Sequence, residues 1–324
     1  MYGLGRPGNS QRARGGPILA EMSPPRRSIR PPALVAATAS VLAALPGCLR
    51  DDLAELETDL RARIAQTQAE VGLYYRNLAT GDSLLFRPDL RMHAASMMKV
   101  PVMIQLYRDA EAGRLGLDDG VVVRDTFRSI ADGSAYSLNP EDDSETALYG
   151  RLGRKASVRE LIELMIARSS NLATNILIEL VDGRRVTQTM RELGADSINV
   201  LRGVEDIPAY ERGLNNTTTA RDLGVIFRAI AEHRAASPTA CEEMLEILEG
   251  QEFTDGIPAG LPDDVPVAHK TGFITGINHD GGVVRPPGGD RYVLVVLIRG
   301  ATDATTANRL IAEFSRMVYR HVSQ

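Results

Sequence analysis

Ser96 and Lys99 stand three apart in Ala94-Ala95-Ser96-Met97-Met98-Lys99-Val100-Pro101-Val102, where a helical run begins. On a helix that spacing sets the two side chains beside each other on one face. A serine hydroxyl is a poor nucleophile at neutral pH until a base takes its proton, and an amine becomes that base once burial or a neighbouring cation lowers its pKa. The choice of lysine is informative here: of 37 basic residues, 34 are arginine, which does not release its proton, and only Lys99, Lys155 and Lys270 are lysine. Ser-x-x-Lys alone is common, and it describes a helix cap followed by a chance lysine equally well.

Lys270-Thr271-Gly272 is the rarer pattern and reads as the end of a strand. An ammonium and a hydroxyl at a strand end can hold a substrate carboxylate. Gly272 leaves room for close approach to the backbone, and the N–H of Phe273 can form an oxyanion hole with that of Ser96. Held near Lys99, the Lys270 charge would favour the neutral amine. Ser169-Ser170-Asn171, between two predicted helices, adds a hydroxyl and an amide, although serines there also read as helix caps. The five histidines are scattered without ligand spacing, so neither a metal nor another cofactor is expected. Gly81-Asp82-Ser83-Leu84 matches the signature of one lipase family, but its serine opens a hairpin strand and no Asp-x-x-His follows, so it is set aside.

These residues need elements to hold them. Residues 49–66 are helical in period, and Glu70–Asn77 and Ser83–Phe86 read as strands joined at Thr80-Gly81-Asp82. The nucleophile helix is predicted over 96–112, with Pro101 tolerated near its first turn. Residues 121–154 read as one long polar loop. Helices follow over 158–168, 172–181, 187–193, 222–233 and 239–250, so the middle of the chain is expected to be all helical. Strands are expected at 266–270, 281–285 and 292–298, then a helix over 305–322. Strands at both ends with helices between imply an α+β fold: an antiparallel sheet built from both chain ends, with an inserted all-helical domain and a cleft where they meet. The sheet lobe takes 49–92 and 262–324, and the helical lobe 93–261.

Residues 1–48 read as an export signal, with basic Arg26, Arg27 and Arg30, an apolar core over 33–45, and Leu45-Pro46-Gly47-Cys48 at its end. That tetrapeptide resembles a bacterial lipobox, which makes Cys48 a candidate for lipidation and membrane anchoring. The paired arginines also allow twin-arginine export, and Met22 could be the true start. Removing residues 1–47 takes away six arginines and Glu21, leaving 31 basic and 41 acidic residues, a net charge of −10. Such a surface argues against nucleic acid as a partner. Cys241 would be the single free thiol, so no disulfide is expected.

Taken in order, Ser-x-x-Lys, Ser-x-Asn and Lys-Thr-Gly are the signature of the penicillin-recognising serine hydrolases, and the chain resembles class A β-lactamases over about residues 55 to 322. The resemblance implies a sheet with helices on both faces plus a helical domain. It implies acylation of Ser96 assisted by Lys99, and proton relay to the leaving nitrogen by Ser169. It places the substrate amide on Asn171, the carboxylate on Lys270 and Thr271 ahead of Gly272, and the oxyanion at the Ser96 and Phe273 N–H groups. The chain departs from the family at four points. Glu205 is three residues after Arg202 rather than two and lacks the usual Pro-x-Leu-Asn, so it is only a candidate deacylation base, with Asp206 and Glu211 as alternatives. Asn216 stands where the arginine's salt-bridge partner is usual. Ser170 stands where the middle motif usually has aspartate, and the 121–154 segment is longer than usual. The leading expectation is an exported, monomeric class A type β-lactamase, periplasmic or membrane-anchored. A serine esterase or D-Ala-D-Ala peptidase of the same fold, or a β-lactam-binding protein that deacylates slowly, stays open.

Overall fold

A computed structural model describes residues 46–323; residues 1–45 of the predicted export signal and the Cys48 side chain lie outside it. In chain order, α1 (Pro46–Ala65) precedes the hairpin of β1 (Glu70–Asn77) and β2 (Ser83–Phe86), then β3 (Met92–His93). A 3-10 turn at Ala95–Met98 runs into α2 (Lys99–Glu111). The short strands β4 (Gly120–Val122), β5 (Thr126–Arg128), β6 (Ala135–Ser137) and β7 (Lys155–Ser157) follow. Next come α3 (Val158–Ala167), α4 (Asn171–Val181), α5 (Gly183–Glu192), α6 (Ile207–Glu211), β8 (Thr217–Thr218), α7 (Ala220–Ala231) and α8 (Pro238–Glu249). Strands β9 (Val267–Ile274), β10 (Ile277–Val284) and β11 (Tyr292–Arg299) and helix α9 (Ala304–Val322) complete it.

The predicted antiparallel sheet is present, with five strands in the order β2-β1-β11-β10-β9. The two chain ends meet directly, since Glu70 to Asn77 of β1 pair with Arg299 to Tyr292 of β11. β11 explains how one sheet serves two cores. Val293, Val295 and Leu297 pack into the cluster shared with α2, α3, α4, α7 and α8, while Tyr292, Leu294, Val296 and Ile298 pack beneath α1 and α9. The strand period of two divides these residues between the faces, and both faces are covered, so the sequence reads as an unbroken apolar run.

Four expectations need correction. Residues 121–154 are not one polar loop: β5 and β6 form a hairpin, β4 pairs with β7, and Val123, Phe127, Leu138 and Leu148 are buried anchors. These anchors are spaced too widely among polar residues to show a period. The middle of the chain is correspondingly not all helical, because β3 pairs with β8 in addition. Lys270-Thr271-Gly272 does not end its strand; β9 continues to Ile274 and turns at Gly276, whose φ is +76°. β10 starts four residues earlier than predicted, as the polar Asn278, His279 and Asp280 are all buried within it. Polar side chains with partners inside a site weaken the apolar alternation on which strand prediction relies.

Candidate active site

β9 is the edge of the sheet, and the turn carrying Ser96 packs against it. Gly272 permits the approach. A Cβ there would lie 3.0 Å from Met97 Cγ and 3.4 Å from the Ala94 carbonyl oxygen. The glycine of Lys-Thr-Gly therefore makes room for the turn that carries Ser96. Ser96, Thr271, Gly272 and Phe273 line a cleft of about 370 Å³ with Ser169 and Asn171 at the start of α4. Asp142 and Ser144 from the β6–β7 connection wall one side, and Phe253 and Asp255 from the α8–β9 connection another.

Lys99 is fully buried. Its Nζ donates to the Ser169 carbonyl (2.6 Å), Ser169 Oγ (3.1 Å) and Asn171 Oδ1 (3.1 Å). Lys270, also fully buried, donates to the same Ser169 Oγ at 3.1 Å and to the Thr271 carbonyl at 3.1 Å. The two amines thus converge on the Ser169 hydroxyl, 70 and 101 residues away in sequence. With both acceptor positions of Oγ taken, its own proton is left to point elsewhere, as a donor to a leaving group would need.

Burial lowers the Lys99 pKa to about 7, against the opposing pull of Asp143 and Glu205. Lys270 is pushed well below the ordinary lysine range by burial and by the Lys99 charge. Burial disfavours the charged form of an amine, so neutral Lys99 is populated near neutral pH. If Lys99 takes the Ser96 proton, the acylation rate should climb as pH rises through about 7 and flatten above it, because only the neutral amine accepts a proton. Pre-steady-state acylation followed against pH checks this. A rate that does not change across pH 7 would remove Lys99 from that role.

Among the three carboxylates considered for deacylation, the structure separates their positions. Glu205 is half-buried, and its Oε1 accepts from Asn171 Nδ2 and its Oε2 from the Asn139 N–H, both at 3.4 Å. Burial raises its pKa above the usual glutamate value. Asn171 therefore bridges Lys99 through its oxygen and Glu205 through its nitrogen. Asp206 is fully buried and caps α6, accepting from Ala209 (3.1 Å) and Ile130 (3.0 Å) N–H groups. Glu211 is exposed at the end of α6.

The segment that carries Glu205 closes without the usual ion pair. Asn216 Oδ1 accepts from the Leu201 (2.7 Å) and Arg202 (3.1 Å) N–H groups, and its Nδ2 donates to the Arg202 carbonyl (2.9 Å). Arg202 in turn donates to the Leu214 carbonyl and to Asn215 Oδ1, both at 3.1 Å. A neutral amide does by hydrogen bonds what an arginine–aspartate pair does by charge. Asn216→Ala would leave buried backbone groups unpaired, at a cost of about 1–3 kcal/mol. Thermal melting should register that loss, and deacylation should suffer more than acylation because Glu205 sits on this segment.

Sequence reasoning missed two further buried acids. Asp143 holds the start of α4, and Asp280 accepts from the Ile257 N–H (2.8 Å) and pairs with His269 Nδ1 (2.8 Å). Backbone strain marks the same region. Ala95, Ser169 and Glu205 have φ of +46°, +57° and +61°, making three of the six non-glycine residues in that conformation among the described residues. Such strain persists only where surrounding structure imposes it, and it collects at functional sites.

A serine at a turn packed on an edge strand, two buried amines meeting at a second serine, and an amide bridging to a carboxylate give the cleft the groups of a serine hydrolase. The chain belongs to the β-lactamase enzyme family, whose family model matches residues 55–322. It is 29% identical to a β-lactamase of Streptomyces fradiae over 270 residues, 82% of this chain and 85% of that protein. Among solved structures it is similar to a β-lactamase from Sphaerobacter thermophilus DSM 20745 (27% identity, 84% of this chain and 97% of that one, TM-score 0.71). It is also similar to a variant of PBP-A solved as an acyl-enzyme complex with penicillin G (29%, 83% and 96%, TM-score 0.69).

Proposed function

We propose that this protein hydrolyses β-lactam amides through an acyl-enzyme on Ser96. The observation that carries the reading is the meeting of Lys99 and Lys270 at Ser169 Oγ in the cleft that Ser96 lines. Neutral Lys99 takes the Ser96 proton as Oγ attacks the lactam carbonyl, and the developing oxyanion is held by the Ser96 and Phe273 N–H groups. Ser169 passes a proton to the departing ring nitrogen. Lys270 and Thr271 bind the substrate carboxylate and Asn171 its side-chain amide. Glu205 then activates the water that releases the acyl group.

Turnover of a chromogenic cephalosporin by the purified protein tests the reading; no turnover, with no Ser96 adduct, would dismiss it. A second reading, a β-lactam-binding protein that acylates and releases slowly, is favoured by the long 3.4 Å contacts of Glu205. Intact mass separates the two, since a lasting adduct at Ser96 marks the binder and a transient one the hydrolase. Ester or D-Ala-D-Ala turnover without β-lactam turnover would instead favour the esterase or peptidase.

Export rests on the sequence of residues 1–48, with Cys48 as the lipidated residue. Membrane partitioning lost in Cys48→Ala would support the anchor. A protein wholly released from the membrane fraction in both forms would exclude it.

A further inference from the structure

Two departures from the family pattern meet at one place in the fold. The first N–H groups of a helix have no partner within it. In α4, Ser170 Oγ accepts one of them, from Ala173 at 3.1 Å. The Asn171 and Leu172 N–H groups go instead to Asp143, at 3.1 Å to Oδ1 and 2.8 Å to Oδ2. Asp143 comes from the long β6–β7 connection and is only 6% exposed. Its carboxylate also accepts from the Glu145 N–H (3.0 Å) and the Tyr149 hydroxyl (3.2 Å), and Ser170 Oγ lies 3.5 Å away. The acid missing at position 170 is supplied through space by the segment that is longer than usual.

We propose that Asp143 is a positioning residue of the acyl-transfer site, holding the start of α4 so that Ser169 and Asn171 meet Lys99. Its grip is on Asn171 itself, whose Oδ1 receives Lys99, and on the helix start that follows Ser169 directly. Ser169 offers Lys99 both its carbonyl and its hydroxyl from a left-handed conformation that something outside it must maintain. Asp143 also contributes charge. The groups facing Lys99 are Lys270 from β9, Glu205 from the segment before α6, and Asp143, and the last two favour the Lys99 ammonium.

The inference rests on the Ser96 acyl-enzyme reading, and the experiment keeps the two apart. Acylation by a chromogenic cephalosporin is followed in pre-steady state against pH, with thermal melts, for wild type, Asp143→Asn and the exchange Asp143→Ser with Ser170→Asp. Asp143→Asn should acylate more slowly at neutral pH by on the order of 10- to 100-fold, the scale set by small misplacements of reacting groups. Its acid limb should move to lower pH, because a charge favouring protonated Lys99 is gone. The exchange returns a carboxylate to the start of α4 from the cap position, within reach of the Leu172 and Ala173 N–H groups, and should recover most of the lost rate. Asp143→Asn that melts lower yet keeps the wild-type rate and acid limb would reduce Asp143 to a helix cap and overturn the proposal. A folded exchange variant that stays as slow as Asp143→Asn would do the same, and the exchange variant decides alone if Asp143→Asn does not fold. Failure of wild type to acylate at all would strike the Ser96 reading instead.

Discussion

Ser96→Ala should eliminate β-lactam turnover, with a loss on the order of 10⁴-fold or more, because no neighbouring group can replace the attacking oxygen. Ser169 lines the same cleft, but both of its acceptor positions are occupied by Lys99 and Lys270, which leaves it suited to donate a proton. The variant should fold as wild type does, since Ser96 fills no core and caps no helix. Hydrolysis of a chromogenic cephalosporin, together with the mass of the protein after exposure to it, provides the check. Turnover within tenfold of wild type, or an adduct of unchanged stoichiometry, would move the nucleophile elsewhere.

Glu205→Gln should divide the reaction in two. With Lys99 as the proposed acylation base, acylation should proceed, while release of the acyl group should slow by about 10²–10⁴-fold, the usual contribution of a general base. A burst of one equivalent without steady-state turnover is the expected trace, with the adduct at Ser96 seen by intact mass. Glutamine keeps the shape and the contact with Asn171 Nδ2 through its carbonyl oxygen, so the loss reports on the carboxylate rather than on packing. Glu211→Gln, on an exposed helix end, should leave both phases unchanged and serves as the control. Equal loss of burst and turnover in Glu205→Gln would assign this glutamate to acylation. A wild type that already shows only the burst would identify the slow-releasing binder.

Wild-type hydrolysis should also fall at low pH for two separable reasons. Lys99 becomes protonated as pH drops through about 7, and Glu205, whose pKa burial raises above the usual glutamate value, is the second group whose protonation removes a base. The first limb should appear in acylation and the second in deacylation, so single-turnover measurements distinguish them.

The sequence by itself settled the residue types and their order. A chain that writes its positive charge as arginine spends two of its three lysines in Ser96-x-x-Lys99 and Lys270-Thr271-Gly272, and this is visible without coordinates because such motifs span three or four residues. The sheet was legible for a similar reason: the apolar stretches of β1 and β11 are properties of one strand at a time. Tertiary structure decided what depends on distance through space. Only packing shows that Lys99 and Lys270 share Ser169, that Glu205 rather than Asp206 reaches Asn171, and that Asp143 holds the helix start beside Ser170. Each of these contacts joins residues 27 or more positions apart, where charge, amide and backbone partners leave no periodic trace. Local pattern encodes which groups are present; the burial of two cores against one sheet determines which of them touch.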